Sequence, residues 1–111
     1  MPAKIVAVLN DLMFTVKISD AAKRAGVAVV FVKTAEEAVR HAAGAAAVIL
    51  DLNFVPPDLI GKLKPVPLIG YVSHVQTEVI KQARENGCDT VMARSAFVQD
   101  LAKMMESIAA S

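Results

Sequence analysis

The sequence predicts a three-layer α/β fold in which five parallel strands alternate with five helices. Two observations support this prediction. Five short apolar runs rich in β-branched residues recur along the chain, and stretches with a helical spacing of apolar side chains separate them. Strands that are apolar throughout and are joined by helices are typical of a parallel sheet that helices cover on both faces.

Each predicted strand is an apolar run bounded by polar or turn-forming residues. The runs are Ile5–Leu9, Ala28–Val32, Ala46–Leu50, Pro67–Val72 and Thr90–Ala93. The sequence contains no internal repeat and no low-complexity linker. Because 111 residues correspond to one ordinary domain, we expect residues 1–111 to form a single unit.

The first two predicted helices carry clear end signals. An apolar stripe at helical spacing defines helix one and consists of Phe14, Ile18, Ala21 and Ala25. Gly26 follows it as the expected C-terminal cap. Thr34 to Glu37 has the form of a capping box, with Thr at the N-cap and Glu three residues later, and predicts a second helix that runs through His41.

The remaining three helices are predicted from turn residues and apolar stripes. Helix three begins at Pro56-Pro57-Asp58 and must end before Pro65, so it has at most two turns. Helix four ends at Asn86-Gly87, and helix five begins at Ser95. Their stripes are Val75, Val79 and Ala83 in helix four, and Phe97, Leu101, Met104 or Met105, and Ile108 in helix five.

Composition and charge exclude several classes of protein. Hydrophobic residues make up 55% of the chain and charged residues 21%, a balance that excludes a disordered protein. The net charge is +1, and no basic cluster exceeds Lys23-Arg24 or the spaced Lys62 and Lys64, which argues against binding nucleic acid by charge. The first apolar run is too short to span a membrane and has no signal-peptide cleavage region. A single cysteine, Cys88, suits a reducing compartment, so we expect a cytoplasmic protein.

Polar residues follow the apolar runs, where the carboxyl ends of parallel strands form one edge of the sheet, and candidate site residues come after four of the five runs. These residues are Asn10 and Asp11 after strand one, Asp51 and Asn53 at strand three, Ser73 and His74 after strand four, and Arg94 and Ser95 after strand five. Ligands of open α/β sheets bind at this edge. Asp51 is the strongest candidate, because a partly desolvated carboxylate needs a metal, a hydrogen-bond donor or a cation. A purely structural role, capping a loop or pairing with Arg94, explains Asp51 equally well.

Two segments resemble a known family. Val48 to Asn53 is similar to the strand that presents the phosphorylatable Asp in CheY-like receiver domains, the phosphoacceptor modules of two-component response regulators. Gly87-Cys88-Asp89 resembles the Gly-Ala-Asp turn before strand five of these domains. The resemblance covers essentially the whole chain and implies a flavodoxin-like, CheY-like fold with strand order 2-1-3-4-5.

The resemblance also implies a function and roles for single residues. Asp51 would accept the phosphoryl group, Ser73 would contact that group through its hydroxyl, and the backbone carbonyl of Asn53 would bind Mg²⁺. The chain would be a stand-alone signalling module of a phosphorelay, without enzymatic activity, that docks to a histidine kinase or a downstream target. Self-association through helix four, strand five and helix five is a further expectation from the family.

The sequence departs from the family at the predicted phosphoryl and metal pocket. Receivers end strand one with adjacent acids, whereas here the corresponding pair is Asn10-Asp11 or, in the other register, Leu9-Asn10. The expected Mg²⁺ ligands are therefore Asn10, Asp11, Asp51 and Asn53, a set with fewer acids than Mg²⁺ sites of receivers have. Loss of an acid in either register counts against Mg²⁺ binding.

Three further positions differ from the family. Arg94-Ser95 stands where receivers have Lys-Pro, and Val91 replaces the aromatic residue that reports phosphorylation. Arg94 could clamp Asp51, since a guanidinium pairs well with a carboxylate. His74 could bond Asp51, obstruct a phosphoryl group or respond to pH, or it could simply cap helix four.

These departures favour an atypical receiver, a pseudo-receiver, that acts without phosphorylation over one that is phosphorylated at Asp51. Two other classes of function remain open. The first is a small-molecule binder or enzyme on a flavodoxin-like scaffold, although no Gly-rich phosphate loop and no catalytic triad spacing support it. The second is a structural or self-associating domain.

Overall fold

Five strands form one parallel sheet in the order β2-β1-β3-β4-β5, and a helix follows each strand. The structure is a computed structural model, and it describes residues 3–73 and 76–111. The elements are β1 (Lys4–Val8), α1 (Leu12–Ala25), β2 (Ala28–Val32), α2 (Ala35–Ala42), β3 (Ala47–Asp51), α3 (Pro57–Lys62), β4 (Leu68–Val72), α4 (Thr77–Glu85), β5 (Thr90–Ala93) and α5 (Arg94–Ala110). The predicted fold class and strand order are confirmed.

The predicted element bounds differ from the observed ones by only a few residues. β2 and β5 have the predicted bounds, while β3 extends to include Asp51. β4 begins after Pro67, which has no N–H to donate to a neighbouring strand. α5 begins at Arg94 rather than at the predicted Ser95, and no side chain caps it. Val75 and His74, which we expected near the start of helix four, lie outside the described residues.

Two apolar layers cover the sheet, one on each face. Successive residues of a strand point to opposite faces, so Ile5 and Ala7 lie in one layer whereas Val6 and Val8 lie in the other. Helices α1 and α5 cover the first face, and α2, α3 and α4 cover the second. This arrangement is the predicted three-layer sandwich.

The helix ends show the local chemistry that the sequence predicts. Gly26 caps α1 with a φ of 77°, a left-handed conformation that glycine adopts without steric cost. The Thr34 hydroxyl oxygen accepts from the Glu37 N–H at 3.2 Å, as in a capping box. The Glu37 carboxylate accepts from the Thr34 hydroxyl at 3.0 Å instead of reaching the Thr34 backbone N–H. Within residues 3–73 and 76–111, no helix has the length and apolar character needed to cross a lipid bilayer.

Candidate functional site

Side chains from four strand ends lie along the predicted edge of the sheet. Asp11 caps α1 beyond β1, Asp51 ends β3, Ser73 follows β4, and Arg94 follows β5. The topology places them there because every strand of a parallel sheet ends at the same edge. Asn10 has an exposed side chain, and the predicted site residue His74 falls outside the described part of the chain.

Asp11 follows β1, caps α1 and is the acid from this strand end that takes part in the contacts of the site. Leu9 is buried in the layer under α1 and α5, so it has no place in a polar site. Asp11 uses both of its carboxylate oxygens, because Oδ1 accepts from the Phe14 N–H at 3.1 Å and Oδ2 accepts from Arg94 at 3.0 Å. The Phe14 N–H and, after it, the charge of Arg94 lower the pKa of Asp11.

Arg94 binds Asp11, so the predicted clamp between Arg94 and Asp51 is wrong. Its Nη2 lies 3.0 Å from Asp11 Oδ2, and its guanidinium carbon lies 4.4 Å from the centre of the Phe14 ring. A cation over an aromatic face is attracted by the negative charge of that face. Because the cap of α1 holds the Asp11 carboxylate beside Phe14, the Arg94 guanidinium contacts the carboxylate and the Phe14 ring at the same time.

The charge of Arg94 reaches Asp51, but the Arg94 guanidinium is hydrogen-bonded to Asp11 and not to Asp51. Its side chain is half-buried, and Oδ1 accepts from the Asn53 N–H at 3.0 Å. Burial raises the pKa of Asp51, while the Asn53 N–H and the charge of Arg94 act in the opposite direction. The result is a carboxyl group that is ionised less readily than an ordinary aspartate.

Asn53 links the loop after β3 to the end of β4. Its side-chain Oδ1 accepts from the Ser73 N–H at 2.7 Å, and its own N–H donates to Asp51. We expected Asn53 to contribute its backbone carbonyl to a metal, and the sequence contained no signal for this side-chain contact. The contact joins Asp51, Asn53 and Ser73 into one hydrogen-bonded chain of residues.

The residues at this edge do not fit a divalent cation in the observed arrangement. Mg²⁺ requires nearly octahedral ligation by oxygen atoms, and both oxygens of Asp11 are already hydrogen-bonded. The guanidinium of Arg94 also brings a positive charge to the place where a cation would need to lie. Within the described ranges, no three His, Cys, Asp or Glu side chains are close enough to form a metal site.

Tyr71 is a residue of this region that the sequence reasoning missed. It lies beside Asp51 in the sheet register, and its ring centre is 4.7 Å from that of Phe14 and 5.0 Å from that of Phe97. Its phenol oxygen is buried and has no hydrogen-bond partner among the described residues. Burial and, after it, the charge of Asp51 raise the pKa of Tyr71. Tyr71 belongs to an apolar run, so the pattern marked it only as a strand residue.

We predict that Asp51→Asn stabilises the protein near pH 7. The raised pKa means that folding disfavours the ionised carboxylate relative to the unfolded chain, and Asn removes that cost. The gain in the free energy of unfolding is small, because solvent screens the charge of a half-buried group. Since Asp51 is protonated in both states at low pH, the gain disappears as pH falls through its folded pKa toward 3.8.

Thermal unfolding of both proteins across this pH range measures the effect. Asp100→Asn, in an exposed position of α5, is the matched control and leaves the melting temperature nearly unchanged. A loss of stability in Asp51→Asn at pH 7 would mean that the Asp51 carboxylate is stabilised by a partner in the folded state.

Comparison with known proteins finds similarity in structure but not in sequence. No protein-family model matches the chain, and no curated protein matches it. A response regulator from Thermotoga maritima is 14% identical, with a TM-score of 0.80 and all of both chains covered. A CheY-like response regulator receiver domain protein from Methanospirillum hungatei is 17% identical, with a TM-score of 0.80 over 97% of this chain and 94% of the other.

One similar structure is that of a response regulator in its Mn²⁺-bound form. It is 15% identical, with a TM-score of 0.73, and the match covers 96% of this chain and 91% of that one. Low identity with nearly complete coverage means that backbone architecture is shared while most side chains differ. The chain therefore has the fold of response regulator receiver domains.

Proposed function

We propose that this chain is a receiver-like signalling module that acts by docking to partner proteins and does so independently of phosphorylation. The fold supports the signalling role. The contact between Arg94 and Asp11 is the observation that supports independence from phosphorylation. In this proposal Asp51 corresponds to the phosphoacceptor of receivers, and Ser73 and Arg94 are the described residues that would contact a phosphoryl group; His74, the third residue expected there, lies outside the described residues.

The electrostatics of the pocket support independence from phosphorylation. A phosphoryl group on Asp51 would add negative charge to a half-buried site, and receivers neutralise such charge with a divalent cation and a lysine. Here the Arg94 guanidinium already neutralises Asp11, and it also contacts the face of Phe14. An arginine held by two partners is a fixed internal counter-ion, so the pocket has a cation without binding a metal.

A second observation concerns the position that usually reports phosphorylation. Val91 is half-buried and packs against the layer under α2, α3 and α4. A β-branched aliphatic side chain has no hydroxyl and strongly restricted rotamers, so it cannot act as the rotating aromatic reporter. The proposed module therefore presents one docking state, and its partners recognise that state without a switch at β5.

The test is a titration of ¹⁵N-labelled protein with Mg²⁺ and then with beryllofluoride, which mimics an aspartyl phosphate. We expect no saturable shift at the amides of Asp51, Ser73 and Arg94 at millimolar concentrations. In Arg94→Met, Asp11 loses its internal cation, and we expect Mg²⁺ to shift the amides of Asp11 and Asp51. Arg24→Met is the matched control, because it removes an exposed ion pair with Asp20 far from the pocket.

Two outcomes would contradict the proposal. Saturable beryllofluoride shifts in the wild-type protein that are absent from Asp51→Asn would make Asp51 a working phosphoacceptor. If Arg94→Met binds Mg²⁺ no better than the wild-type protein does, Arg94 is not what keeps a cation out of the pocket.

A further inference from the structure

A cavity lies between α3 and α4, next to the carboxyl end of β3. Its volume is about 210 Å³, and residues of α3, of α4 and of the loop after β3 line it. α3 has six residues and is therefore only about 9 Å long, because Pro57 begins it and Pro65 follows shortly after its end. A helix this short covers only part of the sheet face beside α4, and the cavity lies in the part that it leaves uncovered.

The walls of the cavity are mostly apolar, and none of the described residues that line it is charged. Leu52, Val55, Ile60 and Ala83 contribute buried side chains to these walls. The groove between α1 and α5, by contrast, is lined by two cations and two anions, which are Lys17, Arg24, Asp20 and Glu106. A charged group that enters an apolar cavity loses its hydration without gaining a counter-ion. The cavity between α3 and α4 therefore favours a neutral ligand.

Three carboxamide side chains supply the polar part of the lining, and they belong to Asn53, Gln76 and Gln82. A carboxamide has two donor hydrogens and an acceptor oxygen, so it can pair with a ligand group that has both functions. Asn53 Oδ1 accepts from the Ser73 N–H, whereas the side chains of Gln76 and Gln82 have no hydrogen bond to another described residue. The two glutamines are therefore available to a ligand.

The volume of the cavity limits the size of the ligand. An apolar cavity of about 150 Å³ can hold benzene, and pockets for drug-sized molecules begin at about 300 Å³. A cavity of about 210 Å³ lies between these sizes and accommodates one ring with a short substituent. A nucleotide is both too large and too highly charged for it.

We infer that this cavity binds a neutral small molecule that has a single ring and a carboxamide-like group, such as an amide, a lactam or a urea. The ring would contact the apolar walls, and the carboxamide-like group would pair with Gln76 and Gln82. Asn53 connects the cavity to the acid pocket, since its N–H donates to Asp51 and its side chain accepts from Ser73. Binding in the cavity does not depend on whether Asp51 accepts a phosphoryl group.

Three molecules of nearly the same shape test the inference, because benzamide is neutral, benzoate is an anion and benzamidine is a cation at pH 7. We expect millimolar benzamide to give saturable shifts of the Val55, Val79 and Gln82 amides in ¹⁵N spectra. The Asn53 and Ser73 amides should shift with the same dissociation constant, because Asn53 lines the cavity and binds Ser73. Benzoate and benzamidine should bind at least about tenfold more weakly, since neither charge has a partner in the described lining.

Two variants, each with a matched control, make the test specific. Val79→Phe places a ring in the cavity and should reduce the affinity for benzamide at least about tenfold, whereas Val39→Phe, at an exposed position of α2, should not. Gln82→Glu adds a carboxylate to the lining and should favour benzamidine over benzamide, whereas Gln99→Glu, at an exposed position of α5, should leave the order of affinities unchanged. Unchanged circular dichroism checks that each variant is folded.

Three results would overturn the inference. The first is the absence of a saturable benzamide shift, or shifts confined to residues outside the cavity. The second is equal affinity for the three molecules, which would indicate a nonspecific contact of the ring. The third is unchanged affinity for benzamide in Val79→Phe together with an unchanged order of affinities in Gln82→Glu. The beryllofluoride titration follows the acid pocket with a different ligand, so failure of that test and failure of this one are distinguishable.

Discussion

Phe14→Ala is expected to lower the free energy of unfolding by about 3–5 kcal/mol, the usual cost of deleting a buried aromatic ring. Phe14 has no exposed surface and contacts two other rings, with centres 4.7 Å away in Tyr71 and 5.6 Å away in Phe97. Its ring also supports the guanidinium of Arg94. The substitution therefore opens a cavity in the core and removes one of the two contacts that hold Arg94 in the pocket.

Urea denaturation measures this loss, and the protein contains a convenient reporter. Tyr71 is the only tyrosine and the chain has no tryptophan, so intrinsic fluorescence reads the environment next to Phe14. Phe54→Ala is the matched control, because 40% of Phe54 is exposed and its truncation should cost about 1 kcal/mol or less. Equal losses in the two variants would contradict a central role for Phe14 in the core.

Phe14→Leu separates packing from the interaction with the cation. Leucine fills most of the same space, so the loss should be below about 1.5 kcal/mol. The aromatic face is absent in this variant, and we expect the side-chain resonances of Arg94 to indicate greater mobility. If the mobility of the Arg94 side chain is unchanged in Phe14→Leu, the contact with Asp11 is sufficient to hold Arg94 in place.

Gly70→Ala is expected to cost about 1–3 kcal/mol, because β4 approaches Leu52 too closely for a side chain. A Cβ atom on Gly70 would lie 2.6 to 2.9 Å from three atoms of the Leu52 side chain. Leu52 is buried and lies between Asp51 and Asn53, so the required shift would be transmitted to the candidate site. We expect amide shifts at both of these residues along with the loss of stability.

A double-mutant cycle with Leu52→Ala isolates the cause. Leu52→Ala alone leaves a cavity, and the added methyl group of Gly70→Ala would partly fill it, so the combined loss should be smaller than the sum of the single losses. Gly61→Ala is the matched control, since among the described residues beyond the backbone of its own helix a Cβ at Gly61 would meet nothing closer than the Asn86 carbonyl oxygen at 3.9 Å. Additive losses in the cycle would exclude the contact with Leu52 as the reason for glycine at this position.

The candidate site was only partly predictable. The sequence located Asp11, Asp51, Ser73 and Arg94 at one edge, because the position of a polar residue after an apolar run follows from parallel topology. It did not predict which acid Arg94 binds. Arg94 and Asp11 are 83 positions apart, and their contact depends on the Phe14 ring and on the cap of α1.

The alternation of strands and helices can be predicted from the amino-acid sequence alone, since hydrophobic period and helix caps are local properties of the chain. For that reason Gly26 caps the end of α1 and Thr34 caps the start of α2, as expected. The pairing of Arg94 with Asp11, the position of Tyr71 beneath the pocket and the contact of Asn53 with the Ser73 N–H become visible in the folded structure and not before. These contacts join residues far apart in the chain, and side-chain packing in three dimensions selects them among partners that local pattern cannot distinguish.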